Sequence, residues 1–223
     1  MKKKMTAVAL IVALLAVAII GGTLAFFTDT TEEVDNTFTM GKGVDIDLDE
    51  DVTVPEEHKD DPTWAPGEET ENGAKYENIV PGVNYAKNPI ITVGEDSQEA
   101  YVYAELSVKD YHKLYAALEA AKLTPDDLSK LLVNPDLDKG LTDAWLDDDG
   151  TFHIVYNNGK MKAEDEWSIF DAVKVPEEFT QDIVKDLGTI TLDIKGYAIQ
   201  ADGVADAADG WAKLGVHTTP VTE

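Results

Sequence analysis

The sequence contains no cysteine in its 223 residues. Without cysteine there is no disulfide scaffold, so a buried core must hold the fold together. Positive charge is also scarce: 18 Lys+Arg stand against 44 Asp+Glu, a formal charge of −26. Outside Lys2-Lys3-Lys4 there is no basic cluster. Such a surface cannot displace counterions from phosphates, and nucleic acid is excluded as a partner. There is no His-Glu-x-x-His helix, no Gly-x-Ser-x-Gly and no glycine loop to cradle a phosphate. The histidines, His58, His112, His153 and His217, are far apart in the chain. No local spacing of zinc ligands exists. The serines are few, and a Ser-His-Asp triad, being spatial, leaves no trace in spacing.

What is present is a patterned apolar fraction of 43%, enough for a core and too much for a disordered acidic polymer. The length suits one domain with a tail. The strong acidity favours solubility and association with cations.

The first residues have three parts. Lys2-Lys3-Lys4 is positive, residues 5–20 are an apolar run broken only by Thr6, and Gly21-Gly22 ends it. Thr23 and Ala25 then place small residues at −3 and −1 of a cut between Ala25 and Phe26. This is the build of a secretory signal over residues 1–25. The apolar run is short for a membrane span, which takes roughly 20 residues; an uncleaved anchor is the alternative. Cleavage would remove three lysines and take the formal charge from −26 to −29.

Residues 26–43 are polar, with Phe26, Phe27, Val34 and Phe38 as apolar points. Val44-Asp45-Ile46-Asp47-Leu48-Asp49 then alternates strictly, predicting a strand with one buried and one acidic face. Residues 50–73 read as a charged loop. Strands are expected at 79–80 (ending in the Pro81-Gly82 turn), 89–93, 101–108, 152–156, 168–175 and 189–200. In the strand at 101–108, Val102, Ala104, Leu106 and Val108 face the core. Asn158-Gly159 reads as a hairpin turn, and Gly196 as a bulge. Helices are expected at 110–122, after Thr124-Pro125-Asp126-Asp127, where a Thr cap precedes proline, and at 205–214, stopped by Gly215. The pattern predicts a mainly β, antiparallel β-sandwich over residues 44–217, with a helical insert at about 110–133 and a tail at 218–223.

No constellation points to catalysis. The metal question concerns calcium. Asp45, Asp47 and Asp49 recur at every second residue, and Asp147 and Asp149 stand in an acidic turn. A calcium loop needs glycine where Glu50 stands, and Ile46 and Leu48 want a buried face. A solvated acidic strand face is the plainer reading, with weak calcium binding at these aspartates as the alternative. No other cofactor is expected. Trp145, Trp167 and Trp211 could form a ligand shelf, but core packing accounts for them more simply.

The signal with Gly-Gly-Thr-Leu-Ala before Phe-Phe-Thr-Asp-Thr, followed by Asn36-Thr37-Phe38-Thr39-Met40-Gly41 and Val44-Asp45-Ile46-Asp47-Leu48, resembles the TasA/camelysin family of Gram-positive bacteria. Ile79-Val80-Pro81-Gly82, Lys87-Asn88-Pro89 and the stretch from Ile194-Lys195-Gly196-Tyr197 onward are weaker points of likeness. The helical insert is hard to match. The resemblance implies a secreted jelly-roll subunit of biofilm-matrix fibres, processed by a signal peptidase of the SipW type. It also implies a head-to-tail homopolymer built by donor-strand addition, with other matrix or surface components as neighbours. The membrane is then a partner only through the signal before cleavage. The candidate donor is residues 26–40, anchored by Phe26, Phe27, Val34 and Phe38. A disordered tail, or a strand folded back into its own sheet, is the alternative. Camelysins are also described as metalloendopeptidases, which would make the chain a surface zinc protease. A monomeric adhesion domain is a third reading. The expectation taken forward is a non-enzymatic structural protein.

Overall fold

The fold was obtained as a computed structural model, which describes residues 28–30, 43–71, 73–123 and 131–217. Ala25, Phe26, Phe27, Val34, Phe38, the helix start at Thr124-Pro125 and the tail at 218–223 lie outside the described residues, as does the apolar run at 5–20. Among the described residues no helix is long and apolar enough to cross a membrane.

One layer is a five-stranded antiparallel sheet. Its order is β1 (Thr28–Thr30), β14 (Leu192–Gln200), β8 (Ala100–Val108), β11 (Phe152–Met161) and β10 (Leu141–Leu146). Its centre is β8, whose alternation sorts Ala100, Val102, Ala104 and Leu106 to one side and Tyr101 and Tyr103 to the other. The opposing layer contains β2 (Ile46–Asp51), β7 (Asn88–Val93) and β12 (Glu166–Ser168), then β3 (Trp64–Ala65), β6 (Asn84–Ala86), β13 (Ala172–Lys174) and β9 (Leu132–Val133). The Lys87 N–H donates to Asp171 O (3.1 Å) and the Ile169 N–H to Pro89 O (3.0 Å). These bonds carry the β7·β12 ladder into the β6·β13 ladder, so the two groups of strands form one bent layer.

Between the layers Ile46, Ile91, Val93, Trp167, Ile169 and Phe170 meet Val102, Ala104, Leu106 and Ala198, all nearly or wholly buried. Burial of apolar surface, at about 25 cal/mol per Å2, is the main force holding the layers together. The mainly β, layered architecture expected from the alternation is the one observed.

Helix α3 (Ala207–Leu214) covers the other side of the five-stranded sheet. Asp206 caps it by accepting the Asp209 N–H (2.9 Å), and Gly215, at φ 65°, ends it. Trp211 seats it between Tyr103 and Tyr197, with ring centroids 5.5 and 5.4 Å away. Gly210 makes this approach possible. A Cβ there would lie 2.3 Å from the Tyr103 hydroxyl and 3.1 Å from Ile199 Cγ2, while that hydroxyl donates to Ala207 O at 2.7 Å. Helices α1 (Tyr111–Ala120) and α2 (Gln181–Leu187) form a third cluster, with Leu114, Ala117, Leu118 and Phe179 buried.

Several local expectations are corrected. Asn158-Gly159 is no turn: β11 runs through it, and Asn158 is the extra residue between the pairs Asn157↔Tyr103 and Gly159↔Val102. The bulge uses the positive φ of Gly159, 74°. The buried Asn157 amide donates to Gly140 O and Thr142 Oγ1, both at 3.0 Å, and fixes the strand there. Gly196 is no bulge, because β14 keeps unbroken register with β8 from Leu192 to Gln200. Residues 79–80 form no strand and lead into the turn at Pro81-Gly82; the strand is β6. Residues 168–175 are split between β12 and β13. The charged loop holds β3 and a hairpin of β4 (Glu68–Thr70) and β5 (Gly73–Lys75). Helix α2 was not foreseen. Thr180 opens it, its hydroxyl accepting the Ile183 N–H at 3.3 Å.

Candidate functional site

Two places on the five-stranded sheet carry features beyond packing. The first is its β14 edge. Thr28, Asp29 and Thr30 pair antiparallel with Ile199, Ala198 and Tyr197. This strand begins three residues after the expected cut and covers three residues of a nine-residue partner. The next described strand, β2, lies in the opposing layer. The described part of the expected donor segment thus adds a strand to the sheet of its own chain. Sequence reasoning had left that arrangement open beside addition to a neighbour.

The second place is a polar network beneath α3. Glu105 is 6% exposed. Its Oε2 accepts the Tyr197 hydroxyl at 2.6 Å, and its Oε1 accepts the Ser107 hydroxyl at 3.0 Å and lies 2.6 Å from His153 Nδ1. His153 Nε2 lies 2.9 Å from Asp147 Oδ2. The imidazole stacks on Trp145 at 4.6 Å, and His217 stacks on Trp145 at 4.2 Å. Asp143 Oδ2 accepts the Trp211 Nε1–H at 3.1 Å and lies 2.9 Å from His217 Nδ1. Burial, then the bond to Glu105, push the Tyr197 hydroxyl far above the usual phenol range. It is a fixed donor at any ordinary pH.

Ser107, His153 and Asp147 are thereby brought together, and no spacing in the sequence announced it, since β8, β11 and the turn after β10 each supply one member. The connectivity is not that of a hydrolase. Ser107 meets Nδ1, lying 2.9 Å from it, and that same nitrogen is closer to the Glu105 carboxylate. The Ser107 proton also points to Glu105. A base must accept that proton from an activated nucleophile, and here a buried carboxylate holds both groups instead.

The acidic positions are dispersed. Asp45, Asp47 and Asp49 are exposed along β2, alternating with buried Ile46 and half-buried Leu48. The Asp45 N–H donates to Ser97 Oγ at 2.9 Å, and Asp49 Oδ1 accepts the Glu50 N–H at 2.8 Å. Asp147 and Asp149 close the turn between β10 and β11, as expected of a turn before Phe152. Asp147 O accepts the Gly150 N–H at 3.0 Å and Asp149 Oδ1 the Thr151 N–H at 2.9 Å. Among the described residues no three His, Cys, Asp or Glu are gathered to hold a metal ion. His153 and His217 are taken up by carboxylates, and His58 stacks on Trp64 at 4.3 Å. This donor set does not fit a catalytic zinc, which takes three convergent ligands. Trp167 and Trp211 are core residues, 1% and 5% exposed.

The family described as camelysin metallo-endopeptidase matches residues 1–67. That stretch contains the apolar run at 5–20, β1, β2 and β3. No curated protein and no solved structure matches the chain. The likeness to the camelysin/TasA family carried by the N-terminal motifs is supported at family level.

Proposed function

We propose that this chain is a secreted, non-enzymatic structural subunit of the cell surface or biofilm matrix, whose N-terminal segment joins one copy to the next. Cleavage between Ala25 and Phe26 by a signal peptidase of the SipW type releases the segment. Released, it adds as a donor strand to the β14 edge of a neighbour, with Phe26, Phe27, Val34 and Phe38 as anchors. The observation that carries this reading is the pairing of Thr28–Thr30 with β14. A main-chain ladder of this kind is identical whether the strand comes from the same chain or another. In its own chain it covers an edge that would otherwise template association. Twelve residues separate Thr30 from Gly43, and fully extended they span about 40 Å, enough to reach a neighbour. Exchange in one direction does not close, and so builds a fibre. Copies of formal charge −29 repel, so added salt should promote assembly.

The test is mass spectrometry of the N-terminus of the secreted chain with negative-stain electron microscopy of the same sample. A start at Phe26 with filaments, and their loss when residues 26–35 are deleted, is the expected outcome. Filaments that survive the deletion overturn the donor role. A monomer starting at Phe26 would make the chain an adhesion domain. Stoichiometric zinc with chelator-sensitive casein cleavage would replace the structural reading by the peptidase that the family description names.

A further inference from the structure

The β14 edge is covered at one end only. The described ladder sets Thr28, Asp29 and Thr30 against Ile199, Ala198 and Tyr197. Among the described residues no strand lies beside Leu192–Lys195 on that side. On its inner side β14 keeps full register with β8. Leu192 and Ile194 pack against the core between the layers. Asp193 is paired with Lys109 Nζ at 2.6 Å. The Lys195 ammonium stands 5.0 Å from the centre of the Tyr197 ring. Glu105, opposite Lys195 in the β8 ladder, is turned to Tyr197, Ser107 and His153. On β2, Asp47 and Asp49 alternate with Ile46 and Leu48, which pack between the layers, and so face away from this edge.

The register of β1 defines what fits the uncovered end. Carried on from Thr30, it sets Glu32 opposite Lys195, Val34 opposite Asp193 and Asp35 opposite Leu192. The chain itself is too short to complete that ladder. Gly43 stands at the other end of β14: its O accepts the Gln98 N–H at 3.3 Å, and Gln98 bonds Gln200 through their side chains. From Leu192 back to Gln200 is about 27 Å of strand. The eight steps from Asp35 to Gly43 span at most about 26–29 Å fully extended, which leaves nothing to turn the chain round.

We propose that Leu192–Lys195 is the landing site for the N-terminal segment of a second copy, which pairs antiparallel there through residues 32–35 in the register of β1. The proposal rests on the donor-strand reading above and gives it an entry point. A second copy's segment is under no such limit of length. Its main-chain groups bond the uncovered edge, and Glu32 against Lys195 is a favourable cross-strand pair. Once landed, the strand lengthens residue by residue toward Ile199 and replaces β1, whose own ladder is three pairs long. Pairing of β1 within its own chain is thus a cap that holds one end of β14 and leaves the other for the incoming copy.

The absence of cysteine supplies a background-free test. Two full-length chains with different tags, one carrying Asp35→Cys and the other Leu192→Cys, are secreted, mixed and mildly oxidised while wild type is imaged for filaments. Opposed residues of an antiparallel pair have Cα atoms about 4.5–5.5 Å apart, within disulfide reach. The mixture should give a heterodimer on a non-reducing gel. Val34→Cys mixed with Asp193→Cys, at an exposed position, should do the same and guards against misfolding of Leu192→Cys. Asp35→Cys mixed with Val80→Cys, 53% exposed in the parent, should give none. Wild-type filaments without a heterodimer from either pair, or with an equal heterodimer at Val80→Cys, overturn the landing site and leave the donor-strand reading standing. Without wild-type filaments the donor-strand reading falls, and the landing site with it.

Discussion

The two faces of the five-stranded sheet are built on opposite principles. Toward the opposing layer every contact of β8 is aliphatic or aromatic carbon: Val102, Ala104 and Leu106 against Ile91, Val93, Trp167 and Phe170. One residue over, the same strand shows Tyr101, Tyr103, Glu105 and Ser107 to a polar network under α3. The first face specifies little beyond shape and volume. The second specifies particular partners, because a buried carboxylate such as Glu105 is tolerable only with its donors in place. Packing holds the layers; hydrogen bonding fixes how α3, β10 and β14 sit on the sheet. The proposed assembly contact at β14 borders the face that is fixed by bonds.

The sharpest break in this contrast is a large-to-small change on the apolar face. Trp167 is 1% exposed, and its Nε1–H donates to Asp136 O at 3.0 Å. Trp167→Ala should cost about 3–5 kcal/mol through lost burial and the cavity left behind. Urea unfolding followed by far-UV circular dichroism reads this as a lower midpoint with the slope unchanged. A loss under about 1 kcal/mol would show the layers to be loosely packed.

On the polar face the effects should be smaller per substitution and strongly coupled. Glu105→Gln puts an amide donor among groups that need an acceptor, and should cost about 2–3 kcal/mol. Tyr197→Phe removes one bond to the carboxylate, and should cost about 1.5–3 kcal/mol. The double variant should lose less than the sum, by roughly 0.5–3 kcal/mol, because both changes remove the same bond. Strict additivity would mean the two groups do not act as one network.

The contrast also accounts for what could be read from the sequence. Alternation at 44–49 and 101–108, the helix at 110–122 and the stop at Gly215 were legible, because period and capping are local. The second buried face of β8 was not. Nothing local announced that Tyr103 would be covered by α3, about a hundred residues later, and Glu105 and Ser107 by His153 of β11. Asn158-Gly159 carried the right chemistry, a positive φ at Gly159, but β11 runs on through it and uses that φ in a bulge. Gly196 signalled a bulge where in-register pairing with Ala104 of β8 prevailed. Helix α2, seven residues long, was too short for its period to show. The Glu105 network draws its members from four separate elements, so no spacing could announce it. At the candidate assembly edge the apolar points beside the expected cut were visible in the sequence, whereas the β14 partner had to come from the fold.

The smallest expected effect concerns pH and the tie between α3 and β10. Burial by itself raises the Asp143 carboxyl, and it is the largest influence; bonds from His217, Trp211 and the Ala144 N–H together outweigh it and leave the group below the usual aspartate range. A carboxylate lowered in the folded state adds stability that is complete above its unfolded value, about 3.9, and is lost as pH falls through the folded one. Wild type should therefore lose the Asp143 contribution below about pH 4, where Asp143→Asn has nothing comparable to lose. At neutral pH the variant should be less stable by about 1 kcal/mol, since the site is still partly open to water. Urea midpoints measured from pH 6 down to the acid limit would show two curves that converge as Asp143 protonates. Curves that stay parallel throughout would mean that the carboxylate's charge plays no part in holding α3 and His217 against β10.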